Sequence, residues 1–271
     1  MKTCFSGLVA FAMVLVAGLC TTPAAQADGG FSDFSGYDVV FLGEVHDNPA
    51  HHARQAEIVA QVQPDGIVWE MLTGVRASAI TPEMLASEAV LGPFLYWEDS
   101  GWPDFGMYYP IFAASDAQHF GAALPRGEAR AVMGEPVAEV FGSSAALFGL
   151  DRPLPADQQA AREALQRAAH CDALPDEMLP VMVDIQRLRD ARIAAVVREA
   201  LAVTGGPVVV ITGNGHARKD WGAPALLAQA MPELRIGALG QGEDGAPPEG
   251  VFDRVDDAPG VEREDPCAEF R

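Results

Sequence analysis

Positive charge is scarce in this 271-residue sequence: 18 Lys and Arg stand against 38 Asp and Glu, a net charge of −20 at pH 7. A chain this negative has no general affinity for nucleic acid or for an anionic membrane surface. Cysteine is scarce as well. Of the four cysteines, Cys4 and Cys20 fall near the amino terminus, leaving Cys171 and Cys267 for the folded part. Long apolar runs are missing after residue 27, where none approaches the roughly 18–20 residues needed to span a bilayer. No internal repeat of fixed period is present. Disorder is excluded by a composition that is 49% hydrophobic and 21% charged.

Residues 1–27 read as a signal peptide, with Lys2, an apolar run from Leu8 to Leu19, and Ala25-Gln26-Ala27 as a small-residue cleavage site. Export to a bacterial periplasm is expected, with cleavage near Ala27. Acylation at Cys20 is the lesser alternative, because Leu19 stands where a lipoprotein signal has a small residue. In an oxidising compartment Cys171 and Cys267 most simply form one disulfide.

Beyond residue 27, short apolar runs alternate with helical patterns. Asp38–Leu42, Gly66–Glu70, Phe120–Leu124, Pro207–Thr212 and Leu234–Leu239 read as buried strands. Asn48-Pro49 opens a helix to about Val62, and Thr81-Pro82 opens a short one. Residues 92–110, dense in aromatics, Gly and Pro, read as an irregular segment. Short helices are expected within 127–148, longer ones over 155–169 and 176–203, and another from Gly222 to about Ala230. The alternation predicts an α/β fold, a mostly parallel sheet flanked by helices over residues 28–240, with the ligand crevice at the carboxyl ends of the strands. The acidic, Gly- and Pro-rich residues 241–271 read as a loosely packed tail.

The strand ends carry the ionisable residues. Glu44 and His46 follow the first strand, Glu70 ends the second, Arg126 follows the third, and Asn214, His216 and Arg218 follow the fourth. Apolar strands need no ionisable caps, so two His and two Glu at one sheet edge form a specific pattern. His nitrogen and carboxylate oxygen serve both as metal ligands and as general acid–base groups near neutral pH. Gly-x-x-His occurs twice, at Gly43–His46 and Gly213–His216. Bland alternatives stand beside these: hydrogen-bonded turn histidines, a Glu70–Arg126 pair joining two strand ends, Asp47 as a helix cap, and Arg218 in a solvated turn.

Several segments together resemble a known family. Gly43-Glu44-Val45-His46-Asp47-Asn48-Pro49 with His52 and Gln55, then Trp69-Glu70-Met71, is similar to the amino-terminal half of the ChaN-like haem-binding uptake proteins. Residues 97–110 resemble that family's aromatic middle segment. His170-Cys171, Leu174-Pro175, Gln186 and Arg189-Asp190-Ala191 resemble its long-helix segment, and Gly213-Asn214-Gly215-His216 with Gly222-Ala223-Pro224 its carboxyl-terminal motif. The resemblance spans roughly residues 36–240. The wider superfamily includes the Tiki proteases and erythromycin-esterase-like hydrolases.

The resemblance implies export and a part in haem or iron uptake, with non-covalent haem between two protomers, a tyrosine on the iron, and an outer- or inner-membrane haem transporter as a further partner. Tyr37 begins the first strand, at the edge away from the crevice, so Tyr96, Tyr108 and Tyr109 remain open as iron ligand. Arg126 or Arg218 would pair with the propionates, and Asn214 would line the site. The alternative is a hydrolase in which His46, Glu70 and His216 hold a divalent metal ion and Glu44 acts as base.

Overall fold

The computed structural model describes residues 34–270 and Met1; the expected signal peptide, with Cys4, Cys20 and the cleavage site, lies outside the described residues. The chain runs through β1 (Val39–Glu44), α1 (Pro49–Val62), β2 (Gly66–Trp69), α2 (Gly74–Ser78), α3 (Pro82–Leu85), α4 (Glu88–Leu95), α5 (Phe105–Phe112) and β3 (Gln118–Gly121). It continues with α6 (Arg126–Ala131), α7 (Val137–Phe141), α8 (Ala156–Ala169), α9 (Leu179–Thr204), β4 (Val208–Gly213), α10 (Asn214–Ala217), α11 (Ala223–Ala230), β5 (Ile236–Glu243) and β6 (Arg254–Ala258). No helix among the described residues is long and apolar enough to cross a membrane.

The six strands form one sheet in the order β3-β2-β4-β1-β5-β6, and every pairing is parallel. Every residue of β1 and β4 is buried, as expected for central parallel strands covered on both faces. One face packs Val40, Leu42, Ile67 and Trp69 against Ile58 and Val59 of α1 and the aromatic residues of α4 and α5. The other packs Val39, Phe41, Val68 and Val210 against α9 and α11. The chain therefore leaves β1 over one face and β4, its neighbour, over the other. In doubly wound sheets such a divergence opens a gap at the carboxyl ends of the two strands.

Three segments differ from the sequence expectation. The third strand lies earlier than Phe120–Leu124, at Gln118–Gly121, where it pairs with β2. Residues 92–110 are mainly helical: α4 and α5 are short apolar helices, each with an internal proline, Pro93 and Pro110. Their aromatic residues are core, with Trp69 stacked on Phe112 at 3.8 Å and Trp97 against Tyr108 at 4.7 Å. The stretch after residue 240 is also ordered. β5 runs on to Glu243, and β6 adds an edge strand beside it. β6 has one large apolar residue, the exposed Val255, so no hydrophobic pattern marks it. It is held instead by polar contacts such as Arg54 to Asp256 at 2.9 Å. The Cys171–Cys267 disulfide is formed and ties the last residues to the turn after α8.

Candidate functional site

Glu44 ends β1 with its side chain fully buried. Its Oε1 accepts a hydrogen bond from the Tyr108 hydroxyl at 2.9 Å and from His46 Nδ1 at 2.7 Å. Its Oε2 accepts from Gln55 Nε2 at 2.7 Å and lies 3.5 Å from His52 Nδ1. The local sequence builds this cage. Asn48 caps α1 by accepting from Ala50 N, and Pro49 takes the first helical position. The first turns of α1 then bury His51, His52 and Gln55. His52 Nε2 donates to the His46 carbonyl at 2.8 Å. His51 accepts from Val45 N at 2.9 Å and donates to the Gly242 carbonyl at 3.1 Å, so it joins β1 to β5 as a neutral ring. Burial pushes its pKa down.

His46 is the open member of this group, with 34% of its side chain exposed. Its ring packs on Trp102 at 4.8 Å. Its Nε2 lies so close to Gly213 that a Cβ there would come within 2.9 Å, so the glycine of the second Gly-x-x-His motif makes room for the histidine of the first. Burial works against protonation of His46. The bond and charge of Glu44, with the charge of Glu70, outweigh burial and raise its pKa.

At the ends of β2 and β4, Glu70 Oε2 accepts from Thr212 Oγ1 at 2.6 Å and from Gly213 N at 2.9 Å. Its Oε1 lies 3.7 Å from His216 Nε2. On its other side His216 Nδ1 donates to Asp190 Oδ1 of α9 at 2.7 Å. Burial would lower the His216 pKa, but the carboxylates of Glu70 and Asp190 hold it at about 9. Burial likewise opposes ionisation of Glu70, yet His216, His46 and the two donors on β4 keep its pKa below the usual range. For Asp190 burial prevails over the pull of His216 and raises the pKa.

The structure brings Glu44, His46, Glu70 and His216 to one edge, as two histidine–carboxylate pairs with Glu70 beside them. Asp190 completes the second pair, although the strand ends did not point to it. Its signal was a lone acid on the stripe of Leu188, Ala191, Ile193 and Ala194 that α9 buries. Glu70 pairs with Thr212 and Gly213 and not with Arg126, which is exposed at the start of α6 and lines a cavity of about 500 Å³ with Glu70, Trp102 and Arg189. Asp47 does not cap α1 and instead meets Arg263 at 2.5 Å. Asn214 is occupied structurally: its amide donates to the Gln241 carbonyl at 2.8 Å and accepts from Gln241 N at 2.9 Å, extending the β4 edge onto β5. Arg218 is no solvated turn residue. It is buried, bonds both carboxylate oxygens of Asp220 at 2.7 and 2.6 Å, and stacks on Trp221 at 3.7 Å.

The three open tyrosines have different surroundings. Tyr108 is wholly buried between His52 and Trp97, donates to Glu44, and has its pKa pushed up by burial and by that carboxylate. Tyr109 donates to the Leu85 carbonyl at 3.1 Å. Tyr96 caps the end of α4, is 57% exposed, makes no hydrogen bond through its hydroxyl among the described residues, and lies under the Arg76 guanidinium at 3.9 Å. Among the described residues no group of three or more His, Cys, Asp or Glu is arranged to hold a metal ion. In the expected set both histidine Nδ1 atoms are bonded to carboxylates, and one Glu70 oxygen is held by β4.

A family model described as haem-binding uptake, Tiki superfamily, ChaN, matches residues 31–227. A solved structure described as cofacial haem binding to ChaN of Campylobacter jejuni is similar at 20% identity over 76% of this chain and 81% of that one, with a TM-score of 0.55. At that identity the likeness shows a shared fold. The structure of the type III effector HopBA1 matches at 15% identity over 82% of this chain and 88% of that one, with a TM-score of 0.42. No curated protein matches the chain. The α/β sheet and the motifs at its carboxyl edge therefore belong to a recognised group: the chain is a member of the ChaN haem-binding uptake family of the Tiki superfamily.

Proposed function

We propose that this protein is exported to the periplasm and binds haem non-covalently for haem or iron uptake, with Tyr96 as the iron ligand and a second protomer closing the site. The observation that carries the choice of residue is the exposure of Tyr96, which none of the other three tyrosines shares. Tyrosine is an established axial ligand of haem iron. The surroundings suit a flat apolar guest. Val75 is 82% exposed and Val90 50% exposed, on the helices that flank Tyr96, and Pro93 is exposed between Val90 and Tyr96 on α4. Arg76 has no carboxylate partner among the described residues, so its charge is available to a propionate, as is that of Arg126. Tyr108 fits the role poorly, because ligating iron would break its bond to Glu44 and expose a buried ring.

Bound haem would supply the iron to be carried, and this chain's residues would hold the ring and exclude water from one face. The likeness to a cofacial haem-binding structure favours a haem-bridged homodimer, with delivery to a membrane haem transporter. Titration of the purified protein with haem, followed by absorbance and by sedimentation, tests the reading. The expected result is a saturable Soret shift of high-spin, tyrosinate type together with a rise from monomer to dimer. No saturable shift would overturn it.

A second reading rests on the two histidine–carboxylate pairs. In a hydrolase, Glu44 would orient His46, the most exposed member of the group, to take a proton from water. Glu44 itself is too enclosed to act as the base. His216, with its pKa at about 9, would be a cation at neutral pH. A divalent metal at His46, Glu70 and His216 would leave the Nδ1 bonds to Glu44 and Asp190 in place, where they would orient the two rings.

A further inference from the structure

Helix α8 lies against α9 and buries a single residue, Arg162, which is only 7% exposed. Among the described residues its guanidinium has no carboxylate within ion-pair distance. Nη2 donates to Gln158 Oε1 at 3.3 Å and to the Trp221 carbonyl at 3.2 Å, while Nε is buried with no partner. Gln166 Oε1, one turn further along, is buried and unpartnered as well. Both residues line a cavity of about 310 Å³ between α8, α9 and the segment after β4. A buried cation without a partner is costly, and such sites persist where something else satisfies the charge. Burial holds the Arg162 pKa down at about 10, outweighing the more distant charges of Asp190 and Asp220.

We propose that this cavity binds a small organic monocarboxylate, with Arg162 as its anchor. The guanidinium fork matches a planar carboxylate and can hold both of its oxygens. Arg218 is already engaged by Asp220, and His216 by Asp190 and Glu70, so Arg162 is the cation lining the cavity that is left to receive a carboxylate. Leu165 and Val183 give the cavity an apolar wall, and the Trp221 ring lies 5.1 Å from the Arg162 guanidinium. The tail of the ligand would rest there. The volume is at the small end of the ligand-pocket range of about 300–1,000 Å³, so the tail is short. The site lies on the far side of His216 from Glu70 and is separate from the Tyr96 surface.

The test needs no haem and reads binding directly. Sodium butyrate, sodium benzoate and sodium phosphate are titrated into the whole protein at constant ionic strength, by calorimetry and by thermal melting. Saturable binding of butyrate or benzoate, with a matching rise in Tm, is expected. Arg162→Met should abolish both signals and melt no lower than the parent, since it removes an unpaired buried charge. Arg162→Lys keeps the charge without the fork and should weaken binding about tenfold or more; it decides the matter should the methionine variant fail to fold. Absence of saturable carboxylate binding, phosphate binding tighter than either carboxylate, or unchanged binding in the Arg162 variants would overturn the proposal.

Discussion

The carboxyl edge of the sheet and the outer side of α4 lie on either side of one aromatic layer, and they are built on opposite principles. At the sheet edge nearly every ionisable group answers another: Glu44 is held by Tyr108, Gln55 and His46, Glu70 by Thr212 and Gly213, and His216 by Asp190. On the outer side Tyr96 is exposed, and among the described residues its hydroxyl makes no hydrogen bond. The inner region is pre-arranged for proton positioning, with His46 its most open member. The outer region has unspent contacts, which a large flat ligand needs. The same contrast separates Tyr108 from Tyr96, two tyrosines twelve positions apart in the sequence, one a structural donor and the other available.

The sharpest way to break this contrast is to remove the carboxylate at its centre. Glu44→Ala strips Gln55 and Tyr108 of a buried charged acceptor and should cost about 3–5 kcal/mol. Tyr96→Ala, a surface change, should cost less than about 0.5 kcal/mol. Urea denaturation of the two variants checks this, and equal losses would contradict the division.

Next in size is the pH dependence of two buried histidines with opposite shifts. The folded pKa of His216 is about 9 against 6.5 unfolded, so its contribution is complete below pH 6.5 and is lost as pH rises through 9. His119 packs at a tilt against Phe112 of α5, accepts from Trp69 Nε1, and burial lowers its pKa to about 4. Its unfolded form binds protons more readily, so stability falls as pH drops from 6.5 through 4. Each arm amounts to about 3 kcal/mol. His216→Gln should flatten only the alkaline arm of stability against pH, and His119→Gln only the acidic one. Smaller again is Tyr108→Phe, which loses one hydrogen bond to a charged acceptor, about 1.5–3 kcal/mol. Tyr96→Phe should leave Tm unchanged. A drop in Tm for Tyr96→Phe as large as that for Tyr108→Phe would show that both hydroxyls are structural.

Much of the central sheet was legible because its strands are short, apolar and buried on both faces, so β1, β2 and β4 and the capped start of α1 stand out in the sequence. The four acid–base residues of the edge followed from their position at strand ends. What remained hidden depended on tertiary partners. β6 is an edge strand held by charged side chains, which leave no apolar signature. The helices at 88–95 and 105–112 are masked by Pro93 and Pro110 and stabilised by aromatic packing rather than by helix propensity. Asp190 is separated by 26 positions from His216, so only the packing of α9 against the sheet brings them together. The tyrosines could not be ranked from sequence, since exposure and not spacing separates Tyr96 from Tyr108 and Tyr109.

The most direct measurement is a haem titration of Tyr96→Phe beside the His46→Ala/His216→Ala double variant, each confirmed to be folded. Loss of the tyrosinate-type Soret shift in Tyr96→Phe, with near-parental haem affinity in the double variant, is the expected result. The reverse pattern, with haem binding kept without the Tyr96 hydroxyl and lost with the two histidines, would contradict the account and move the ligand to the sheet edge.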